Sequence, residues 1–121
     1  MLYTSSLKYL ENSGDDVKPF YIMPKHSNDV VVPDEKDLNN FKEGTITWQG
    51  FKVNYLSKLM KHEATEWMRK VSSEAAQIDV VLVDKEEDAT HSPRTLLADM
   101  IMNMFSGEFK LRYMGELSQK R

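Results

Sequence analysis

The sequence QIDVVLVDKEEDATHSPRTLLADMIMNM, residues 77–104, decides the fold of this chain. Residues 78–83 are an almost uninterrupted apolar, β-branched run, which is typical of a strand buried on both faces of a parallel sheet. An acidic loop over residues 84–90 follows. Ser92-Pro93 then begins a helix, because Ser is a good N-cap and Pro already has the φ of a first helical position. A strand end, a loop and a helix N-terminus form the usual ligand position in an open α/β sheet, so this stretch predicts where a site lies.

The remaining elements place this stretch in an α/β fold. Apolar residues recur at helical spacing in three segments after Asp34, and β-formers cluster near both ends of the chain. We therefore predict a small three-layer Rossmann-like domain over residues 1–121, with a mostly parallel sheet of about four strands and flanking helices. The predicted strands are 2–7, 17–23, 78–83 and 109–113, and the predicted helices are 34–44, 47–60, 63–76 and 93–107.

Three connecting or terminal segments are predicted to be less regular. Residues 9–10 close a short turn or extend the first strand, and residues 12–16 form a loop by composition. The last strand lies near an edge, where Lys110 and Arg112 discourage pairing with another sheet. Residues 116–121 form a polar, frayed tail.

Composition excludes several classes of protein. The chain of 121 residues has 40% hydrophobic and 29% charged residues, as in ordinary globular domains, and a net charge of −3, which argues against nonspecific nucleic-acid binding. It contains no cysteine, so thiolate nucleophiles and zinc–thiolate sites are excluded. The sequence shows no signal peptide and no run long enough to span a membrane, and we expect a cytoplasmic protein.

Two runs resemble a known family. KEGTITWQGFKVNY, residues 42–55, resembles the kGeItWeeYeerYl-like run of a prokaryotic and phage family called domain of unknown function 488. Residues 80–101 resemble its strand, acidic loop and helix of the form LLCxEkdpxxCHRxxLAexl, and residues 2–7 resemble its first strand. The matching positions are Gly44, Ile46, Thr47, Trp48, Phe51, Tyr55, Arg94, Leu97 and Ala98. The resemblance implies a Rossmann-like sheet.

The chain departs from this family pattern at its reactive positions. Asp84 stands where the family often has a thiol, and Ser92-Pro93 stands where it has a Cys-His pair. The Asp-x-Arg after the family's second strand is not visible, and Lys25 lies nearby. Any chemistry of the Cys-His pair is therefore not inherited here.

The candidate ligand-binding residues lie at strand ends and at the predicted helix start; they are Thr4, Ser5, Ser6, Lys25, Asp84, His91, Ser92 and Arg94. Arg94 with the helix start suits a phosphate or another anion, whereas a surface ion pair with the acidic loop is the alternative. Asp84 with the three hydroxyls suits a ribose or another polyol, and the alternative is that these groups cap loops. Although His91 and the acidic loop carry oxygen ligands suited to a hard cation, their spacing matches no metal motif, so we predict no metal and no cofactor.

These observations lead to three hypotheses of function. The first is non-catalytic binding of a nucleotide-like or other small polar ligand at the strand-end cleft, by a protein that in a phage would act on a signal in the host cytoplasm. The second is a protein–protein interaction module, as a homodimer or on a host protein, through methionines, Trp67 and the last strand. The third is a divergent enzyme on nucleoside-like substrates that uses Asp84.

Overall fold

The structure, a computed structural model, describes residues 1–23 and 30–119. In these residues the chain forms four strands in one sheet, with five α-helices around it. The strands are β1 (Leu2–Ser6), β2 (Lys18–Tyr21), β3 (Val80–Asp84) and β4 (Tyr113–Glu116). The helices are α1 (Leu7–Ser13), α2 (Glu35–Lys42), α3 (Trp48–Leu59), α4 (His62–Ala75) and α5 (Pro93–Phe109), with 3₁₀ turns at Ala89–His91 and Leu117–Gln119.

The sheet has the strand order β2-β3-β1-β4, and every pairing is parallel. All five residues of β3 are buried, as the apolar run predicts. In the register of β1 and β3, Ser6 lies opposite Asp84, so both strands end at the same edge of the sheet. The predicted α/β class and the four-stranded parallel sheet are confirmed.

Alternate side chains of β1 and β3 point to the two faces of the sheet. Leu2, Val80 and Leu82 belong to the large core with α3, α4 and α5, whereas Tyr3 and Val81 belong to a smaller cluster on the other face. That smaller cluster is covered by Leu7 and Leu10 of α1 and by Leu117. The domain therefore has three layers. The chain leaves β1 and β3 on opposite faces, so the direction in which the sheet is built reverses between these two strands.

Helix α1 corrects the prediction of a turn and loop after the first strand. The hydroxyl of Ser6 accepts a hydrogen bond from the Tyr9 amide at 3.2 Å, and Gly14 ends the helix with a φ of 69°. Leu7 and Leu10, three residues apart, pack on the small core cluster. The hydroxyls clustered at the end of the first strand thus include a helix cap, and seven residues were too few for the helical period to show.

The end of α5 is also different from the prediction. The helix continues through Gly107 to Phe109 and ends at Lys110, which has a left-handed φ of 53°. Contact between the rings of Phe105 and Phe109, with centroids 6.2 Å apart, helps to offset the roughly 1 kcal/mol that Gly107 costs. The last strand therefore begins at Tyr113 rather than at Phe109.

The two predicted basic residues, Lys110 and Arg112, consequently precede β4 and do not lie in it. Glu116, which was predicted to begin a frayed tail, is the last residue of the strand, and residue Leu117 beyond it is fully buried. Across residues 1–23 and 30–119, no helix is long and apolar enough to cross a membrane.

Candidate functional site

A buried ionic cluster lies at the carboxyl end of the sheet, centred on Arg94 of α5. The Arg94 side chain is 0% exposed, and its Nη1 donates to Asp84 Oδ1 and to the carbonyl oxygen of Glu86, each at 2.5 Å. Its Nε and Nη2 donate to the two carboxylate oxygens of Glu116, at 3.0 and 2.8 Å. One guanidinium therefore links β3, the acidic loop and β4.

Asp84 also caps α5. Its Oδ2 accepts from the Arg94 amide at 2.9 Å, and its Oδ1 accepts from the Glu86 amide at 3.0 Å. Ser92 occupies the N-cap position, as predicted, but its hydroxyl donates to the Ala89 carbonyl at 3.1 Å and makes no capping bond. A carboxylate from the neighbouring strand thus satisfies the amide that the local sequence assigns to serine.

Thr4 and Tyr113 complete the cluster on the β1–β4 side. The Thr4 hydroxyl lies 2.8 Å from the Tyr113 hydroxyl and donates to Oε2 of Glu116. Thr4 is 0% exposed, so its hydroxyl is a structural partner of Glu116 within the protein. Sequence reasoning missed Glu116 and Tyr113, because nothing local to residues 113–116 shows that a buried arginine 22 residues earlier needs a second carboxylate.

The cluster places two carboxylates around one guanidinium. Burial raises the pKa of the Asp84 carboxyl above its ordinary 3.8, and the charge and hydrogen bonds of Arg94 oppose that shift only in part. Burial lowers the pKa of Arg94, but the hydrogen bonds that Arg94 donates to Glu116 and the charges of Asp84 and Glu116 outweigh burial, so the net shift is upward. Burial also raises the pKa of Tyr113.

A cleft of about 230 Å³ opens beside the cluster, between the carboxyl ends of β2 and β3, helix α2 and the first residue of α5. Its floor carries Asp84, which is 3% exposed, and its rim carries Lys42, whose Nζ lies 2.8 Å from Glu86 Oε2. We call this the β2–β3 cleft. Its lining consists of Ile22, Met23, Pro33, Glu35, Leu38, Asn39, Lys42, Asp84, Lys85, Glu86 and Pro93.

A second, more open cleft of about 400 Å³ lies on the other side of the cluster, where β1 and β4 end. Its lining includes Ser5, Ser6, Lys8 and Glu116. The Ser5 hydroxyl donates to the Ser6 carbonyl at 2.9 Å. The predicted set is therefore divided: Asp84 faces the β2–β3 cleft, Ser5 and Ser6 face the second cleft, and the Arg94 cluster separates them.

The two remaining predicted residues lie apart from this arrangement. His91 is at the end of a 3₁₀ turn; its ring centroid is 5.1 Å from that of Trp48 and 6.0 Å from that of Phe41, and its Nδ1 is 3.4 Å from Asp88 Oδ2. His91 thus ties the acidic loop to α2 and α3. Lys25 lies outside the residues that the structure describes. Among the residues that are described, no three His, Cys, Asp or Glu side chains are grouped so as to hold a metal ion.

Comparison with known proteins gives one match. The family model described as "Domain of unknown function DUF488" matches residues 14–101, well over half of the chain. No curated protein and no solved structure matches. Both of the longer runs that resemble the family lie inside the matched segment, and so does the whole lining of the β2–β3 cleft.

Proposed function

We propose that this chain, which belongs to the family Domain of unknown function DUF488, binds a nucleotide-like or other small polar ligand in the β2–β3 cleft without converting it. The observation that carries the proposal is the position of this cleft at the carboxyl ends of two parallel strands, beside the start of a helix. Ligands of open α/β sheets bind at such ends. We also propose that this binding takes place in the cytoplasm.

The chemistry of the cleft supports a small, partly apolar ligand. Ile22, Met23 and Leu38 give it apolar walls, while Asn39 and Lys42 add polar groups from one face of α2. Binding sites usually combine a mostly apolar lining with a few polar groups that fix orientation. A volume of about 230 Å³ lies below the range of roughly 300–1,000 Å³ for drug-sized ligands, so a molecule of the size of a nucleobase or nucleoside fits best.

Binding without turnover is supported by the state of Asp84. Both of its carboxylate oxygens already accept hydrogen bonds, from the amides of Glu86 and Arg94 and from the Arg94 guanidinium. A general base or nucleophile needs a free oxygen within reach of the reacting atom. The hypothesis of an enzyme that uses Asp84 therefore has less support than a binding role.

The proposal is tested by thermal shift with a panel of nucleobases, nucleosides and nucleotides. We expect at least one compound to raise the melting temperature of the wild type, and the shift to fall in Lys42→Ala and in Asn39→Trp, which places a large side chain at the cleft. The matched control is Lys36→Ala, because Lys36 is an exposed residue of α2 that does not line the cleft. Equal shifts in all four proteins, or no shift with any compound, would overturn the proposal.

A second candidate function is association of two copies through β4, and one observation favours it. β4 is an edge strand, its Met114 is 44% exposed, and the basic residues that were predicted to protect this edge precede it. Unprotected edges invite pairing with another strand. Light scattering during size exclusion separates the candidates: a dimer that Met114→Lys dissociates supports association, and a monomer at all concentrations removes it.

A further inference from the structure

We infer that the β2–β3 cleft takes an uncharged ligand rich in N–H and O–H groups, of the nucleobase or nucleoside class, and discriminates against its phosphate esters. This inference rests on the proposed function, because it names the ligand class of the same cleft. It differs from the usual expectation for a strand, loop and helix start, where phosphate binds to free amides and to an arginine.

The first reason is that the groups which would hold a phosphate are bound within the protein. The Arg94 guanidinium is 0% exposed and donates to Asp84 and Glu116. The Arg94 amide in the first turn of α5 donates to Asp84 Oδ2 at 2.9 Å. A phosphate would therefore have to displace a carboxylate from β3 to reach the helix start.

The second reason is the charge around the cleft. Glu35, Asp84 and Glu86 line it, against Lys42 and Lys85. The Nζ of Lys42 lies 2.8 Å from Glu86 Oε2. The charge of the buried Arg94 is balanced by Asp84 and Glu116. The lining thus has one more carboxylate than lysine, and one of its two lysines is already paired, so an entering phosphate would meet net negative charge in a partly enclosed site.

The third reason is that the same groups suit a neutral ligand. Carboxylates accept from ring N–H, amino and hydroxyl groups, and the Asn39 amide both donates and accepts. The apolar side chains of Ile22, Leu38 and Pro93 also line the cleft, and they can pack against the face of a ring. Such a ligand brings no charge to desolvate, so the cleft needs no counter-ion for it.

The test compares adenosine, guanosine, cytidine and uridine with their 5′-monophosphates by isothermal titration at one ionic strength. For each nucleoside that binds the wild type, we expect its monophosphate to bind at least tenfold more weakly. In Glu86→Gln one carboxylate is removed and Lys42 is released, so the monophosphate should gain at least threefold relative to the nucleoside. Glu87→Gln is the control, because Glu87 lies in the same loop but does not line this cleft.

The outcomes separate this inference from the proposed function. A monophosphate that binds as tightly as its nucleoside would overturn the inference and leave ligand binding in the cleft standing. An equal gain in Glu86→Gln and Glu87→Gln would overturn the assignment of discrimination to the cleft lining. If no nucleoside and no monophosphate binds, and the wider panel of small polar compounds also gives no shift, the proposed function fails and the inference fails with it.

Discussion

The guanidinium of Arg94 and the carboxylate of Glu116 form two parallel hydrogen bonds, from Nε to Oε2 at 3.0 Å and from Nη2 to Oε1 at 2.8 Å. This fork joins the first turn of α5 to the end of β4 and fixes the orientation of both side chains. Because Arg94 also binds Asp84 on β3, a single side chain holds the three elements that meet at the carboxyl edge of the sheet.

Arg94→Ala should strongly destabilise the fold. Removing Arg94 leaves Asp84 and Glu116 without their cation, and breaking a buried ion pair from one side costs about 3–5 kcal/mol. The free energy of unfolding, measured by urea denaturation, should fall by that amount. The control is Arg69→Ala, which breaks an exposed pair with Glu108 and should cost about 1 kcal/mol or less. Equal losses in the two variants would contradict the structural role of the cluster.

Thr4→Val should show whether the Thr4 hydroxyl matters to Glu116. Valine keeps the shape of threonine but leaves Glu116 Oε2 and the Tyr113 hydroxyl without their shared partner, so we expect a loss of about 1–3 kcal/mol. Thr65→Val on α4 removes an exposed hydroxyl that donates to the Lys61 carbonyl at 3.1 Å, and it should change stability by about 0.5 kcal/mol or less. If Thr4→Val cost no more than this control, the hydroxyl would not support the cluster.

The raised pKa of Asp84 gives a pH dependence with a definite sign. The folded protein holds the proton of the Asp84 carboxyl more tightly than the unfolded chain does. The stabilisation of the fold that comes from this difference is therefore complete below pH 3.8 and is lost as pH rises through the raised pKa. The stability of the wild type relative to Asp84→Asn should therefore decline as pH rises from 3.8, and then stay constant. Urea denaturation between pH 3 and 8 measures the free energies of unfolding of both proteins. If the wild type gained stability over Asp84→Asn as pH rises, the pKa of Asp84 would be lowered instead.

Lys110→Gly should stabilise the protein. Lys110 ends α5 with a φ of 53°, a conformation that costs a residue with a Cβ roughly 1–2 kcal/mol and costs glycine little. The larger unfolded-state entropy of glycine offsets part of this benefit, so we expect the free energy of unfolding to rise by about 0.5–1 kcal/mol. Lys70 is an exposed residue inside α4, and Lys70→Gly should instead lower the free energy of unfolding by about 1 kcal/mol. Thermal or urea denaturation checks both; a loss at Lys110 would show that its side chain has a role of its own there.

The elements with a long, regular pattern could be predicted from the sequence. The buried run of β3, the starts of the helices near residues 34 and 47, and the Ser92-Pro93 start of α5 were all placed correctly, since each depends on neighbours within a few residues. Helix α1 and the end of α5 were not. The first is too short for its period to show, and the second is extended past a glycine by packing of the helix against the core.

The candidate site, too, could be predicted from the sequence only in part. Asp84 was identified because it ends a buried strand, and Arg94 because it lies in the first turn of a helix. Asp84 and Arg94 meet across a loop of a few residues, whereas the contact of Arg94 with Glu116 depends on the position of β4 in the sheet, beside β1. The strand order is a long-range property, so it decided that Arg94 is a buried structural cation and that Ser5 and Ser6 lie in a different cleft from Asp84.

The sequence by itself determined that this chain is a parallel α/β domain with polar groups at the end of a buried strand, because hydrophobic period and helix caps are local signals. The tertiary structure decided what those groups do. Packing brought a second carboxylate from β4 against Arg94 and turned a helix start that could have bound an anion into a satisfied ionic cluster. Hydrogen-bond capacity is finite: the donors that Asp84 and Glu116 occupy are not available to a ligand, and the β2–β3 cleft beside them remains the candidate site.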